Sequence, residues 1–116
     1  MSVQRLHTET RYSEIVIHNG TVYLAGQLAD DYAGDIQQQT GETLASIERL
    51  LAEAGSDKAH LLAVTIHLAD LADYAGMNAV WDAWLPAGCA PARTCVEAKL
   101  YDPRARVEMT VVAAQR

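Results

Sequence analysis

Two hydrophobic periods alternate along this chain. In "EIVIHNGTVYLAG", residues 14–26, Ile15 and Ile17 share one face, then Val22 and Leu24 share one. This two-residue repeat predicts two strands. Asn19-Gly20 between them suits the two positive φ angles of a type I′ turn, so the segment is a hairpin. The ten residues before it are polar and read as an arm or an edge strand. "GQLADDYAGD", residues 26–35, reads as a loop. The period then changes: Ile36, Leu44, Ile47, Leu50, Leu51 and Ala54 recur at helical spacing. Asp35 is the expected N-cap, with Gln38 completing a capping box, and Gly55 the C′ residue. Gly41 inside this helix costs about 1 kcal/mol relative to Ala, which predicts close packing against a neighbour there.

"HLLAVTIHLAD", residues 60–70, returns to period two. Leu62, Val64, Ile66 and Leu68 form one face, and Ala63, Thr65 and His67 the other. Asp70 is the expected cap of a second helix with an apolar stripe of Tyr74, Met77, Val80, Trp81, Trp84 and Leu85, stopped by Pro86. "CAPARTCVEAKLYDPRARVEM", residues 89–109, reads as strand, turn and strand, the last continuing as "VEMTVVAA". The order ββ-α-β-α-ββ gives an α+β sheet with both helices on one face. Val16, Ala63, Val112 and their neighbours on the other face are too apolar for water, which points to a homo-oligomer.

At 116 residues the chain is one domain spanning 1–116, of ordinary globular composition. The formal net charge of -6 argues against nucleic acid as the main partner, since phosphate binding needs a basic footprint. "MSVQRLHTET" lacks the apolar core of a secretory signal, and no apolar run approaches the ~20 residues of a membrane span. The expected location is therefore the reducing cytoplasm, with no membrane partner.

His7, His18, His60 and His67 show no metal-ligand spacing with each other or with the cysteines. A phosphate loop, nucleophile elbow and Walker pattern are also missing. His67 on a strand reads as a satisfied, partly buried histidine. Period two puts Arg93, Cys95, Glu97 and Lys99 on one face. That face is either a solvated edge or an anion clamp, because a planar guanidinium fork matches a carboxylate and Cys95 adds a backbone N–H and a weak thiol donor. Spacing alone leaves both readings open.

"AGQLA" at residues 25–29, "MNAVWDAW" at 77–84 and "PARTCVEAKL" at 91–100 resemble, in order and spacing, the signature segments of the RidA (YjgF/YER057c/UK114) family. The resemblance implies a chorismate-mutase-like protomer, a homotrimer and ligand sites in clefts between subunits. It implies hydrolysis of reactive 2-imino or enamine acids, of the 2-iminopropanoate and 2-iminobutanoate type, to 2-oxo acids and ammonia. No cofactor is implied. By the same resemblance Arg93 grips the substrate carboxylate, Cys95 lies beside it, and Gly26 is the loop glycine whose backbone approaches the ligand. Tyr12 and Asn78 are further pocket positions. Deaminating members often carry Glu-x-Glu in the last strand, the second Glu positioning water; here Glu108 and Thr110 stand at those places. A Thr hydroxyl orients water but is no carboxylate base. The alternative is a non-catalytic regulatory trimer binding small carboxylates in the same cleft; a ribonuclease is the reading the acidic charge favours least.

Cys89 and Cys95 lie on either side of Pro91, one before and one within a strand, an arrangement that suits no bridge. Mass spectrometry of non-reduced, alkylated protein is expected to find two modified thiols; an intramolecular disulfide would contradict this.

Overall fold

The computed structural model describes residues 2–116. The strands are β1 (Gln4–Thr8), β2 (Ser13–His18), β3 (Thr21–Leu24), β4 (Leu61–Leu68), β5 (Ala92–Glu97) and β6 (Val107–Ala114). The helices are α1 (Ile36–Glu53) and α2 (Tyr74–Trp84), with short 3-10 turns at Lys58–His60 and Leu71–Asp73. All six strands form one mixed sheet in the order β1-β2-β3-β6-β4-β5. Only the β4–β5 pair is parallel. The fold is thus α+β, as the residue pattern predicts, and the polar N-terminal stretch is an edge strand.

One face of the sheet carries the core. Ile15, Ile17, Val22, Leu24, Val64, Ile66, Leu68, Val107, Met109 and Val111 pack in a single cluster with Leu44, Ile47, Leu50 and Leu51 of α1 and Met77 and Trp81 of α2. Both helices therefore cover the same face. Asn19 (φ 53°) and Gly20 (φ 75°) make the expected left-handed turn of the β2–β3 hairpin. At the end of α1, Ser56 N–H donates to Leu51 O and Gly55 N–H to Ala52 O, closing a Schellman motif around Gly55 at φ 78°. Among the described residues no helix is long and apolar enough to cross a membrane.

Several expectations change. The β4 alternation breaks at a bulge between Leu61 and Ala63, so Leu61 is buried and Leu62 is 49% exposed. The segment 89–114 is not a hairpin: β4 lies between β5 and β6. Asp70 caps the Leu71–Asp73 turn through the Ala72 N–H, and α2 starts after Asp73 without a side-chain cap. The capping box of α1 is half formed. Asp35 accepts from the Gln38 N–H at 2.8 Å, but the Gln38 side chain turns forward to Glu42. Gly41 meets no neighbour: a Cβ built there finds no atom within 4 Å.

The opposite face carries Val16, Tyr23, Val112, Ala63 and Ala92 in register across five strands. Val16, Val112 and Ala63 are only partly buried in the protomer. This is the semi-apolar face that the alternation predicts, running next to a row of Thr110, Thr65 and Thr94.

The open space at Gly41 gives a direct expectation. Gly41→Ala removes the backbone-entropy penalty without a clash, so urea denaturation should show stability raised by up to about 1 kcal/mol. A loss of stability would mean that α1 needs its glycine for a contact outside the protomer.

Candidate functional site

Arg93 enters β5 on the sheet face that packs the helices, in register with buried Val64. Its guanidinium lies in a cradle built by one face of α2. Nη1 donates to Asn78 Oδ1 at 2.8 Å, and Nη2 to Tyr74 Oη at 3.0 Å. The carbon of the guanidinium sits 5.4 Å from the Trp81 ring centroid and 5.7 Å from that of Tyr74. Residues 74, 78 and 81 follow the i, i+4, i+7 spacing that brings side chains to one helix face. Among the described residues no carboxylate lies within 4 Å of Arg93, whereas Arg104, Arg106 and Arg116 pair with Asp102, Asp73 and Asp57. Three of the five guanidinium N–H donors are left over. A partly buried cation oriented by neutral partners is not a spent ion pair, and its charge stays available to an anion.

Cys95 follows on the same face, in register with buried Ile66. Burial pushes its thiol above the ordinary range, and the Arg93 charge opposes that shift. The group is therefore a thiol rather than an activated thiolate at neutral pH. Both cysteines are free. Lys99 falls beyond the end of the strand, and Glu97 is engaged in accepting from the Leu71 N–H at 3.0 Å.

A second group forms around the loop after β3. Gln27 exchanges both backbone hydrogen bonds with Met109 of β6, at 2.9 and 3.0 Å. Its buried side chain accepts from Ser46 Oγ at 2.8 Å and donates to Ala25 O at 2.9 Å. This pins Gly26 against β6. A Cβ on Gly26 would come within 2.5 Å of Glu108 Oε2, so the missing side chain makes room for a carboxylate of this chain. Tyr12, half exposed, lines an open concavity of about 440 Å³ with Glu14, Gly26, Gln27, Ser46 and Arg49.

The structure thus brings Arg93, Cys95 and Asn78 together, and separately Gly26 and Tyr12. Thr110 joins neither group. It is exposed on the face away from the helices, across from Thr65. Glu108 and Thr110 alternate with buried Val107, Met109 and Val111, so they project from the sheet face opposite to Arg93. The acid beside Gly26 is Glu108, which stands at the first Glu of the Glu-x-Glu segment. His67 is not satisfied, since its Nδ1 is buried without a partner. Tyr74 and Trp81 count in the sequence only as an apolar stripe. Their distance of four and three residues from Asn78 is the signal that could have placed them at Arg93.

Residues 2–115 match the family model described as Endoribonuclease L-PSP. The RutC family protein YoaB of Escherichia coli (strain K12) is 45% identical over 114 residues, covering 98% of this chain and 99% of that protein. The crystal structure of NMB1025 from Neisseria meningitidis, a member of the YjgF protein family, superposes with a TM-score of 0.97 at 49% identity, covering 100% of this chain and 97% of that one. Rv2704 from Mycobacterium tuberculosis, of the YjgF/YER057c/UK114 family, gives 0.85 at 25% identity, covering 97% of this chain and 99% of that one.

The burial of Cys95 predicts slow chemistry. At neutral pH its alkylation by iodoacetamide, followed by mass spectrometry, should lag well behind that of glutathione; a rate equal to or above glutathione would show an activated thiolate instead.

Proposed function

The chain belongs to the Endoribonuclease L-PSP family, the group that includes the RutC and YjgF proteins, and from that premise we propose that it hydrolyses small 2-imino acids to 2-oxo acids and ammonia. The observation that carries this reading is Arg93, held by Asn78, Tyr74 and Trp81 with donors to spare and no carboxylate partner among the described residues. A bidentate bond to a carboxylate, worth roughly 1.5–3 kcal/mol, fixes the substrate so that its imine carbon meets one water. Water adds to that carbon while the nitrogen gains one proton, giving a carbinolamine; the hydroxyl proton then passes to the nitrogen as the C–N bond breaks, the C=O forms and ammonia leaves. In this reading Glu108 takes the proton from the attacking water and returns it to the nitrogen. Thr110, on the same face one pleat along, has a hydroxyl that orients water.

Arg93 and Glu108 project from opposite faces of one sheet, so they meet only across two copies of the chain. We therefore assign the site to a cleft between subunits of a homotrimer, with Arg93, Asn78 and Cys95 from one copy and Gly26, Tyr12 and Glu108 from the next. The apolar row of Val16, Val112 and Ala63 supports assembly independently, because burying it removes apolar surface from water. A nucleic-acid substrate fits less well: the net charge is -6, and Arg104 and Arg106 are paired with Asp102 and Asp73. A small carboxylate substrate, no cofactor and a cytoplasmic setting complete the proposal.

Light scattering should give a mass near three times 12.6 kDa; a stable monomer at micromolar concentration would remove the shared cleft. An imino acid generated in situ by an amino-acid oxidase should release ammonia faster with the protein than without it. Arg93→Ala should lose both this activity and 2-oxo acid binding while remaining assembled, and Arg93→Lys should recover little, because an ammonium lacks the fork. Glu108→Gln should keep 2-oxo acid binding and lose about 100-fold or more in turnover, with Thr110→Ala losing less. Wild-type protein that binds 2-oxo acids but releases no ammonia above the spontaneous rate would be a carboxylate-binding regulator instead.

A further inference from the structure

Tyr74 stands out among the residues around Arg93. It is 44% exposed, its ring flanks the guanidinium, and its hydroxyl oxygen accepts from Arg93 Nη2 at 3.0 Å. A phenol has one donor and two lone pairs. One lone pair is used by Arg93, and among the described residues the O–H has no acceptor. An uncommitted donor therefore sits beside an oriented cation at a partly open surface.

The geometry fixes what that donor can reach. Nη2 has two hydrogens, and one points at Tyr74. A carboxylate oxygen taken by the other lies roughly 5 Å from the phenol oxygen, as two acceptors on one nitrogen do. That gap is too long for a direct O–H···O bond and is spanned by an acceptor attached one carbon further on. In a 2-oxo acid this is the carbonyl oxygen; in a neutral 2-imino acid it is the imine nitrogen. A simple carboxylate has only hydrogens there.

We propose that Tyr74 determines specificity by donating its hydroxyl hydrogen to the C2 oxygen or nitrogen of a ligand whose carboxylate is held by Arg93. The pair reads the two neighbouring acceptors of a 2-oxo or 2-imino acid and discriminates against plain carboxylates. The inference rests on the anion-clamp reading of Arg93. It is independent of which group activates water.

Tyr74→Phe keeps the ring beside the guanidinium and the start of α2, and removes the hydroxyl, both as a donor and as the acceptor from Arg93 Nη2. Dissociation constants of pyruvate and propionate should be measured by calorimetry for wild type, Tyr74→Phe and Arg93→Ala in the assembled protein. Wild type should prefer pyruvate. Tyr74→Phe should bind pyruvate about three- to tenfold more weakly, the usual worth of one neutral hydrogen bond, and lose clearly less for propionate, which feels only the missing acceptor at Arg93 Nη2. In turnover the same variant should raise KM more than it lowers kcat. If Tyr74→Phe weakens both ligands equally, the hydroxyl only steadies Arg93 and the proposal is overturned; if it weakens neither, the hydroxyl has no role and the proposal is again overturned. Failure of wild type to bind pyruvate, or unchanged binding by Arg93→Ala, would instead bring down the anion-clamp reading itself, and this inference with it.

Discussion

The two-residue repeat of a β-strand governs where chemistry can occur in this protein. β4 is hydrogen-bonded to β6 on one side and β5 on the other, so the pleats of the three strands run in phase. Val64, Val111 and Arg93 fall on the helix-covered face. Thr65, Thr110 and Thr94 fall on the other. A one-residue slip would exchange these sets, and the buried aliphatics forbid it, because every core residue of β4 and β6 would turn toward water. The core thus determines that the cation and the acid face apart. A single protomer therefore holds both groups without bringing them together.

Two buried glutamines hold the half-sites in shape. Gln39 is completely buried, and its amide spans α1 and two loops: Nε2 donates to Tyr32 O, Gly34 O and Arg104 O, and Oε1 accepts from the Arg106 N–H. This ties the loop before α1 to the loop that feeds β6. Gln27 does the same for Gly26, through Ser46 on α1 and the bridge to Met109. In each amide both the NH2 and the carbonyl oxygen have partners, with three acceptors sharing the two Gln39 hydrogens, and leaving any of these groups unpaired would cost about 1–3 kcal/mol. The loops next to Glu108 are therefore tied to α1 and β6 by buried hydrogen bonds.

Much of this was legible in the residues. The hairpin at Asn19-Gly20, the two helices and the sheet's semi-apolar second face all follow from period and turn chemistry, whereas Arg93 was singled out by the resemblance of its segment to the RidA family. The failures have physical causes. Leu62 continues a perfect alternation, but a bulge adds one residue and reverses the pleat, and period alone cannot show an insertion. Gly41 suggested a close contact, since a helix interior disfavours glycine, yet what it faces is set by tertiary placement. Asp70 is a sound cap, but of a 3-10 turn that precedes α2. Gln39 and Gln27 have polar side chains in apolar patterns, and their worth depends on carbonyls far away in sequence. The contact between Gly26 and Glu108 was invisible as well, because it joins a loop to a strand some eighty residues away.

The choice of neutral partners around Arg93 completes the argument. An arginine beside an aspartate, as at Arg106 and Asp73, spends its charge within the protein. At Arg93 the partners are an amide oxygen, a phenol oxygen and two aromatic faces. These fix the plane of the guanidinium without neutralising it. Aromatic faces attract the cation through their quadrupoles and, unlike a carboxylate, do not compete with an incoming anion for the positive charge. Desolvating a guanidinium is also cheaper than desolvating an ammonium, which is more strongly hydrated. The cradle therefore keeps an arginine dry on two sides, oriented and still fully charged. In the proposed reading, a carboxylate arriving from solvent meets a guanidinium whose ordering cost was met when the chain folded.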